Sequence, residues 1–358
     1  MHLQVAKRFN KIGLLLSFLI YSSLCCAQPE LIIEPDRGAA PILQTIQEAK
    51  SSVDLVMYGF TDMQFANALN NANKNNKHVR VLLQHYPYRA ETENSNVINY
   101  LKNNTIPFVW PDGDFQLTHQ KTLLTDNTNA IIMTFNFTHS TFKNERNFAL
   151  KISDPSEINE IQQVFNADYQ HKKINVYHPD LIWSPNNSRE KLLSQIQSAH
   201  SSLKIYAETI SDYQIIGALA RAARNGVSVS IITSTHDDKH PAKKYNYLTR
   251  AGVNLYFSKH YYIHAKVIII DNKTAILGSI NLTKASIDKN RELAIITRDP
   301  AVMTQLKETF DNDWKGKITP IKTAYKLPAI SVMLIKEIKR YAHQHHKHKK
   351  HYRKKIID

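Results

Sequence analysis

The strongest constraint on this chain is an internal duplication, in which a segment near the start of the 358 residues returns near the middle. Residues 46–52 (IQEAKSS) match residues 196–202 (IQSAHSS) without a gap. In both copies a stretch with helical character follows, at 65–75 and at 215–225, and a β-rich run comes next. A repeat on this scale predicts two structural units of one fold in a single chain.

Each copy alternates β-rich runs, such as 79–83 and 227–232, with helical patterns. This alternation is typical of an α/β layer architecture in which helices cover a sheet. Because 42% of the residues are apolar, the chain can bury a core in each copy. We therefore predict an α/β protein with one repeat at 28–173 and a second at 174–330.

Residues 1–27 have the composition of a secretory signal peptide. Basic residues precede an apolar run at 12–24, which is too short for the roughly 20 residues that cross a bilayer. Cleavage after Ala27 would remove Cys25 and Cys26, the only cysteines of the chain. A mature protein without thiols suits an oxidising compartment, so we predict export to the periplasm or the outside of the cell.

The net charge of +15 predicts contact with a polyanion or an anionic membrane. Much of this charge lies in a tail at 331–358, whose segment 336–355 is rich in lysine and histidine. Such a segment suits a nucleic acid backbone as well as an anionic lipid surface. Its histidines can also bind zinc or nickel adventitiously, although a solvated basic tail is the simpler interpretation. The run 330–338, which leads into this tail, is compatible with a short helix.

The second copy carries side chains that suit reaction at a phosphate. His264 and Lys266 stand at the start of an apolar, β-branched run at 265–270 that predicts a buried strand. Since side chains on a strand alternate, the imidazole and the ammonium group face the same site, whereas Asp271 has the opposite parity.

Further along lie groups that can contact an oxyanion. Gly278 would let the backbone approach it closely, and the Ser279 hydroxyl and the Asn281 amide can donate hydrogen bonds to it. Glu292 is a candidate partner for an imidazole N–H.

The first copy repeats this arrangement with the following residues: His119, Lys121, Asp126, Thr134, Asn136 and Asn147. Two positions differ, because Met133 stands where the second copy has Gly278, and Asn147 where it has Glu292. We expect the first half-site to be less open, or to hold its histidine less firmly.

Together these motifs resemble the signature of the phospholipase D superfamily: a histidine, a lysine two residues on, an aspartate five after that, and a downstream Gly-Ser-x-Asn. The second copy matches in full, and the resemblance covers residues 31–314. It implies two homologous α/β/α sandwich repeats with mixed β-sheets, related by pseudo-twofold symmetry so that both motifs form one site. A monomer then suffices, because one chain holds both motifs.

The resemblance also implies a reaction through a phosphohistidine. In this scheme His119 attacks phosphorus and His264 protonates the leaving alcohol. We expect Glu292 to stabilise a charged His264, and Asn147 to leave His119 neutral.

The remaining motif residues are expected to support this chemistry without a metal or another cofactor. The oxygens of the phosphate would be stabilised by four donors: Lys121, Lys266, Asn136 and Asn281. Asp126 and Asp271 would orient the lysines or tie the two halves together.

The substrate stays open between phospholipid, which we favour, and DNA or RNA. Four tyrosines near the second motif can stack bases, sit at a lipid interface or simply pack: Tyr245, Tyr247, Tyr261 and Tyr262. A phosphatidyltransferase and a non-catalytic protein that binds polyanions are the further alternatives.

Overall fold

The computed structural model describes residues 28–87, 93–111, 113–234 and 241–315. The predicted signal peptide and the basic tail lie outside the described residues. Within this part of the chain, no helix combines the length and apolar character needed to cross a bilayer.

The first half alternates strands and helices and then closes with a run of strands and a long helix. Its elements are β1 (Glu30–Glu34), α1 (Ala40–Glu48), β2 (Ser52–Met57), α2 (Met63–Lys74), β3 (His78–Leu83), α3 (Ser95–Asn103), β4 (Phe108–Val109), β5 (Thr122–Thr125), β6 (Asn129–Met133), β7 (Glu145–Ile152) and α4 (Pro155–Tyr169).

The second half repeats this order and adds a short strand and a short helix. Its elements are β8 (Leu181–Ser184), α5 (Ser188–Gln197), β9 (Ser202–Ala207), α6 (Tyr213–Arg224), β10 (Ser228–Thr233), α7 (Pro241–Arg250), β11 (Asn254–Phe257), β12 (Tyr262–Ile263), β13 (Lys266–Ile270), β14 (Thr274–Gly278), α8 (Lys284–Asp288), β15 (Glu292–Thr297) and α9 (Pro300–Trp314).

Each half builds one mixed sheet, and the two sheets have the same strand order. The first runs β1-β7-β6-β5-β2-β3-β4, and the second runs β8-β15-β14-β13-β9-β10-β11. In the first sheet β2 pairs parallel with β3 and antiparallel with β5, and in the second β9 pairs in the same way with β10 and β13. The antiparallel strands β5 and β13 each come shortly after a motif histidine. The predicted fold class, two α/β repeats with mixed sheets, is confirmed.

Helices at equivalent places in the two halves begin on an aspartate. Asp62 caps α2 by accepting a hydrogen bond from Gln64 N, and Asp212 caps α6 through Gln214 N and Ile215 N. Each cap stabilises its helix by about 1 kcal/mol.

The apolar core has three parts. Each half packs one face of its sheet against its own helices, and the opposite faces of the two sheets share a common core with α4 and α9. Large or branched side chains from both halves meet there: Val56, Leu124, Ile132, Phe148, Tyr206, Val267, Leu277 and Leu293. The two halves therefore form one body.

Two reciprocal ion pairs fasten this interface. Arg146 donates to both carboxylate oxygens of Asp313 at 2.8 and 3.0 Å, and Arg291 donates to those of Asp168 at 2.8 and 2.7 Å. Both arginines are buried, and each reaches from one half into the last helix of the other. Bidentate pairs of this kind fix orientation as well as distance.

Candidate active site

Each motif histidine is carried on a segment that pairs with the other half of the molecule. In the second half, β12 runs parallel to β7, and His264 N and Ala265 N donate to Arg146 O at 3.3 and 3.0 Å. In the first half, the segment ending at His119 runs beside β15, and His119 N donates to Arg291 O at 2.9 Å. This exchange brings both motifs to the centre of the molecule.

The exchange also decides which side chain supports which histidine. Nδ1 of His119 donates to Oε2 of Glu292 at 2.9 Å, and Nδ1 of His264 lies 3.2 Å from Oδ1 of Asn147. The expectation that Glu292 stabilises His264, with Asn147 beside His119, is wrong. Glu292 begins β15 and Asn147 lies on β7, so each is adjacent to the histidine of the opposite half.

The two lysines lie beside their histidines in a buried position. Lys121 Nζ donates to His119 O at 2.6 Å, and Lys266 Nζ donates to His264 O. Lys266 also reaches Thr134 O at 3.3 Å, across the interface. The structure thus brings His119, Lys121, His264 and Lys266 into one site formed by both halves.

A further carboxylate, which the motif analysis did not include, joins this group. Glu208 follows β9, and its Oε2 lies 2.6 Å from Lys266 Nζ and 3.7 Å from His264 Nε2. The equivalent residue after β2 is Tyr58, whose ring contacts the His119 ring edge-on with centroids 4.6 Å apart. An ionisable residue directly after a buried strand was the available sequence signal.

The hydroxyls of Thr134 and Ser279 are buried and bonded to a neighbouring strand. Thr134 Oγ1 donates to Asn147 Oδ1 at 2.8 Å and accepts from Phe148 N. Ser279 Oγ donates to Leu293 O at 3.3 Å and accepts from Leu293 N at 3.2 Å. The prediction that the Ser279 hydroxyl donates to an oxyanion is therefore wrong. These groups hold the supporting strand in register, and Thr134 also orients Asn147.

The two motif asparagines have different surroundings. Asn136 Oδ1 accepts from Gly59 N at 3.1 Å, so its carbonyl side is fixed and its NH2 group points elsewhere. Asn281 N donates to Ser286 Oγ at 3.2 Å, and its buried Oδ1 has no hydrogen-bond partner among the described residues. Asn281 lines a small cavity with Lys266.

Gly278 is required for packing against its neighbouring strand. A Cβ atom there would lie 2.3 Å from Leu293 O and 2.4 Å from Ala294 Cα. The space beside Gly278 is thus filled by β15, and the expectation that an oxyanion approaches there is wrong. Met133, its counterpart, packs in the apolar core of the first half, so this difference does not make the first half-site less open.

Asp126 and Asp271 lie outside the site. Asp126 accepts hydrogen bonds from the N–H groups of residues 50–52, and Asp271 does so from those of 200–202. Each lies directly after β5 or β13, whereas its lysine lies at or directly before the start of the same strand, so each aspartate is about 16 Å from its lysine at 3.3 Å per residue. The predictions that they orient the lysines or tie the halves together are wrong: each anchors a loop of its own half.

Burial and neighbouring charges lower the pKa values of both histidines and of Lys121. Burial and Lys121 lower the pKa of His119, and Glu292 opposes them only in part. Burial and Lys266 hold the pKa of His264 well below its usual value, against the opposing charge of Glu208. Burial and Lys266 also bring the pKa of Lys121 well below its usual value. In the free protein burial therefore disfavours a positive charge on either imidazole.

The two histidines consequently present different atoms to a ligand. Since Nδ1–H of His119 donates to a carboxylate, the neutral ring carries its lone pair on Nε2, as a nucleophile requires. Nδ1 of His264 faces the oxygen of a neutral amide, and its Nε2 faces Glu208.

Three of the four tyrosines near the second motif pack against neighbouring groups. Tyr245 is buried, and Tyr261 packs beneath the Arg146 guanidinium, 4.4 Å from the ring centroid. The Arg224 guanidinium lies 5.6 Å from the centroid of the Tyr247 ring, and Tyr262, next to His264 in the chain, has 37% of its surface exposed. The described residues contain no cluster of three or more histidine, cysteine or acidic side chains able to hold a metal ion.

Comparison with known proteins gives the same two units. A family model described as "Cardiolipin synthase, PLD-like domain" matches residues 42–169 and again residues 192–314. A phospholipase D from Rickettsia bellii is 33% identical over 134 residues, which cover 37% of this chain and 65% of the relative. Cardiolipin synthase 2 from Staphylococcus epidermidis is 31% identical over 144 residues, which cover 38% of this chain and 29% of the relative. The chain thus aligns with less than two thirds of either relative.

Solved structures share the fold over most of the chain. Phosphatidylserine synthase from Haemophilus influenzae superposes with a TM-score of 0.66 at 14% identity, covering 88% of this chain and 93% of that protein. Polyphosphate kinase from Porphyromonas gingivalis also has a TM-score of 0.66, at 15% identity, covering 81% of this chain and 48% of that protein. At this identity the likeness concerns the fold alone.

Proposed function

Since this chain belongs to the phospholipase D superfamily, through two PLD-like domains of the cardiolipin synthase family, we propose that it cleaves the headgroup phosphodiester of phospholipids. The observation that carries the proposal is the convergence of His119, Lys121, His264 and Lys266 in one site built by both halves. The relatives named phospholipase D and cardiolipin synthase support a phospholipid as substrate.

In the first step Nε2 of His119 attacks phosphorus, and the bond from phosphorus to the headgroup oxygen breaks. The proton on Nε2 of His264 goes to that oxygen, so the alcohol leaves neutral. Phosphorylated His119 carries positive charge on its ring, which the buried Glu292 carboxylate stabilises through Nδ1–H.

Positive charge for the phosphate comes from the side chains of the site. Lys121 and Lys266 approach from opposite halves, and the Asn136 amide is oriented because its Oδ1 accepts a hydrogen bond from Gly59 N. Fixed donors of this kind lower the barrier because negative charge moves to the phosphate oxygens as the bond breaks. The mechanism therefore needs no metal ion.

In the second step His264, now neutral, takes a proton from the incoming nucleophile. That nucleophile attacks phosphorus, the bond to His119 Nε2 breaks, and the enzyme is restored. Water gives hydrolysis, which we propose as the main reaction, and an alcohol gives phosphatidyl transfer. The same geometry serves either acceptor.

We further propose that the protein acts after export, as a monomer, with the basic segment 336–355 holding it near anionic lipid. The composition of residues 1–27 and of the tail supports this part of the proposal.

The test is to incubate residues 28–358, with excess chelator, with phosphatidylcholine and phosphatidylglycerol vesicles and in parallel with plasmid and single-stranded DNA. We expect headgroup release that the His264→Ala variant loses. Cleavage of DNA alone would make the protein a nuclease, and activity on no phosphodiester would overturn the proposal. Products formed with added glycerol separate transfer from hydrolysis.

A further inference from the structure

Glu208 breaks the symmetry between the two half-sites. It follows β9 at the position that Tyr58 occupies after β2, and its N–H donates to Ala265 O at 3.1 Å. The side chain is four-fifths buried and is held by Lys266 Nζ at 2.6 Å. A carboxylate therefore stands in one half-site where the other has an uncharged ring.

The position of this carboxylate relative to His264 suits the storage of a proton. Oε2 of Glu208 lies 3.7 Å from Nε2 of His264, which is too long for a hydrogen bond but close enough for a strong electrostatic effect in a buried site. The negative charge of Glu208 thus stabilises a proton on Nε2 without forming a hydrogen bond to it, so the proton can be transferred to a leaving oxygen. Among the described residues, the carboxylate paired with His119 is Glu292, on the Nδ1 side.

From this asymmetry we infer that Glu208 is a positioning residue that keeps a proton on Nε2 of His264 and so makes His264 the acid of the first step. The inference rests on the proposed function, because it concerns the leaving group of the same reaction. Tyr58 supplies no charge to His119, whose Nε2 keeps its lone pair for attack. Glu208 thus adds to the difference that Glu292 and Asn147 already make between the two histidines.

Of the groups around His264, some raise its pKa and others lower it. Those that face it, from its own segment, from β9, from β7 and from the other half-site, are Lys266, Glu208, Glu145, Asn147, Lys121 and His119. Glu145 approaches on the Nδ1 side, with its Oε2 3.9 Å from Nδ1. Glu208 is the carboxylate on the Nε2 side, where the proton must be transferred.

Two substrates that differ only in their leaving group test this role. Phosphatidyl-p-nitrophenol releases an anion that needs no proton, whereas phosphatidylcholine releases an alcohol that does. We expect Glu208→Gln to slow single-turnover cleavage of phosphatidylcholine at least about tenfold, since each unit of pKa lowers the protonated fraction tenfold. Release of p-nitrophenol should change far less, and the alkaline limb of the pH profile should move to lower pH. Equal losses on both substrates would overturn the inference.

Matched variants separate charge from structure. Glu208→Asp keeps the carboxylate and should restore the preference between the two substrates, even if Glu208→Gln folds poorly. Glu30→Gln removes an exposed carboxylate paired with Arg37, outside the site, and should leave both rates unchanged.

An independent readout keeps this inference separate from the proposed function. NMR titration of the His264 ring, assigned with His264→Ala, should show a lower pKa in Glu208→Gln than in the wild type. If the wild type cleaves neither substrate, the proposed function fails, and the titration still decides whether Glu208 holds the proton. A His264 pKa that is the same in both proteins would overturn the inference.

Discussion

Replacing Glu292 with glutamine removes the carboxylate that orients His119. In the wild type Oε2 accepts from His119 Nδ1 at 2.9 Å, while Oε1 accepts from Ser286 Oγ and from Asn290 Nδ2. A glutamine amide has a single acceptor oxygen, so either orientation sets its NH2 group against a donor. With the NH2 group towards His119, the ring must carry its proton on Nε2 and loses the lone pair that attacks phosphorus.

The size of the effect follows from this bond, in which the Glu292 carboxylate is fully buried. A hydrogen bond to a charged group contributes about 1.5 to 3 kcal/mol, which corresponds to roughly 10- to 150-fold in rate at about 1.36 kcal/mol per tenfold. The change of tautomer adds to this. Glu292 acts on the phosphate only through His119 in the proposed mechanism, so kcat should fall while KM changes little.

The assay is single-turnover release of p-nitrophenol from phosphatidyl-p-nitrophenol, which reports the attack step. A Glu292→Gln variant that releases p-nitrophenol within about twofold of the wild-type rate would refute the reasoning. Asn147→Asp provides the matched control in the reciprocal contact, because it sets a carboxylate on Nδ1 of His264 at 3.2 Å. It should raise the pKa of His264 and leave the attack step largely intact. A loss equal to that of Glu292→Gln would mean that the two contacts are not specific to their histidines.

Three further predictions concern pH and stability. Because burial lowers the pKa of both His119 and His264, the profile of kcat/KM against pH should have its maximum below about pH 6.5; a maximum above about pH 7.5 would contradict this. Burial raises the pKa of Asp271, but hydrogen bonds from the N–H groups of residues 200–202 outweigh burial and lower the pKa overall. Asp271→Asn should therefore reduce the free energy of unfolding by about 1 kcal/mol, a value already discounted for solvent screening. That cost is present above about pH 4 and shrinks as the pH falls further, and activity at about 25 °C should persist. Burial raises the pKa of Glu34 to about 8, so the contribution of Glu34 to stability falls as the pH rises from about 4.5 to 8. Glu34→Gln should therefore raise Tm at about pH 8 by several degrees and change it little at about pH 5; equal shifts at both would contradict the buried charge.

The duplicated sequence predicted the fold because its repeats carry the same local patterns. The apolar run that begins near Lys266 forms β13, and its counterpart forms β5 at the same place in the other sheet. The two histidines and two lysines were found by their spacing, and the structure brings them together.

What the sequence could not predict depends on pairing between the halves. The separation of Glu292 from His264 along the chain suggested a contact within one repeat, but β12 and the segment before His119 each pair with the opposite repeat. The partners of the two histidines are exchanged for that reason. The role of Asp126 was predicted wrongly because alternation along a strand indicates only which face of the sheet a side chain lies on. It does not indicate that Asp126 lies at the opposite end of the strand from Lys121.

Trapping of the covalent intermediate tests the central claim most directly. In the His264→Ala variant, His119 should still attack phosphatidyl-p-nitrophenol and form the phosphoenzyme, because this leaving group needs no acid. The variant should release the phosphatidyl group slowly, because it lacks the base that activates the incoming nucleophile. After digestion, mass spectrometry should find the phosphatidyl group on the peptide that contains His119, and no adduct in His119→Ala. An adduct on any other residue, or turnover by His119→Ala, would contradict the account of one composite site with His119 as its nucleophile.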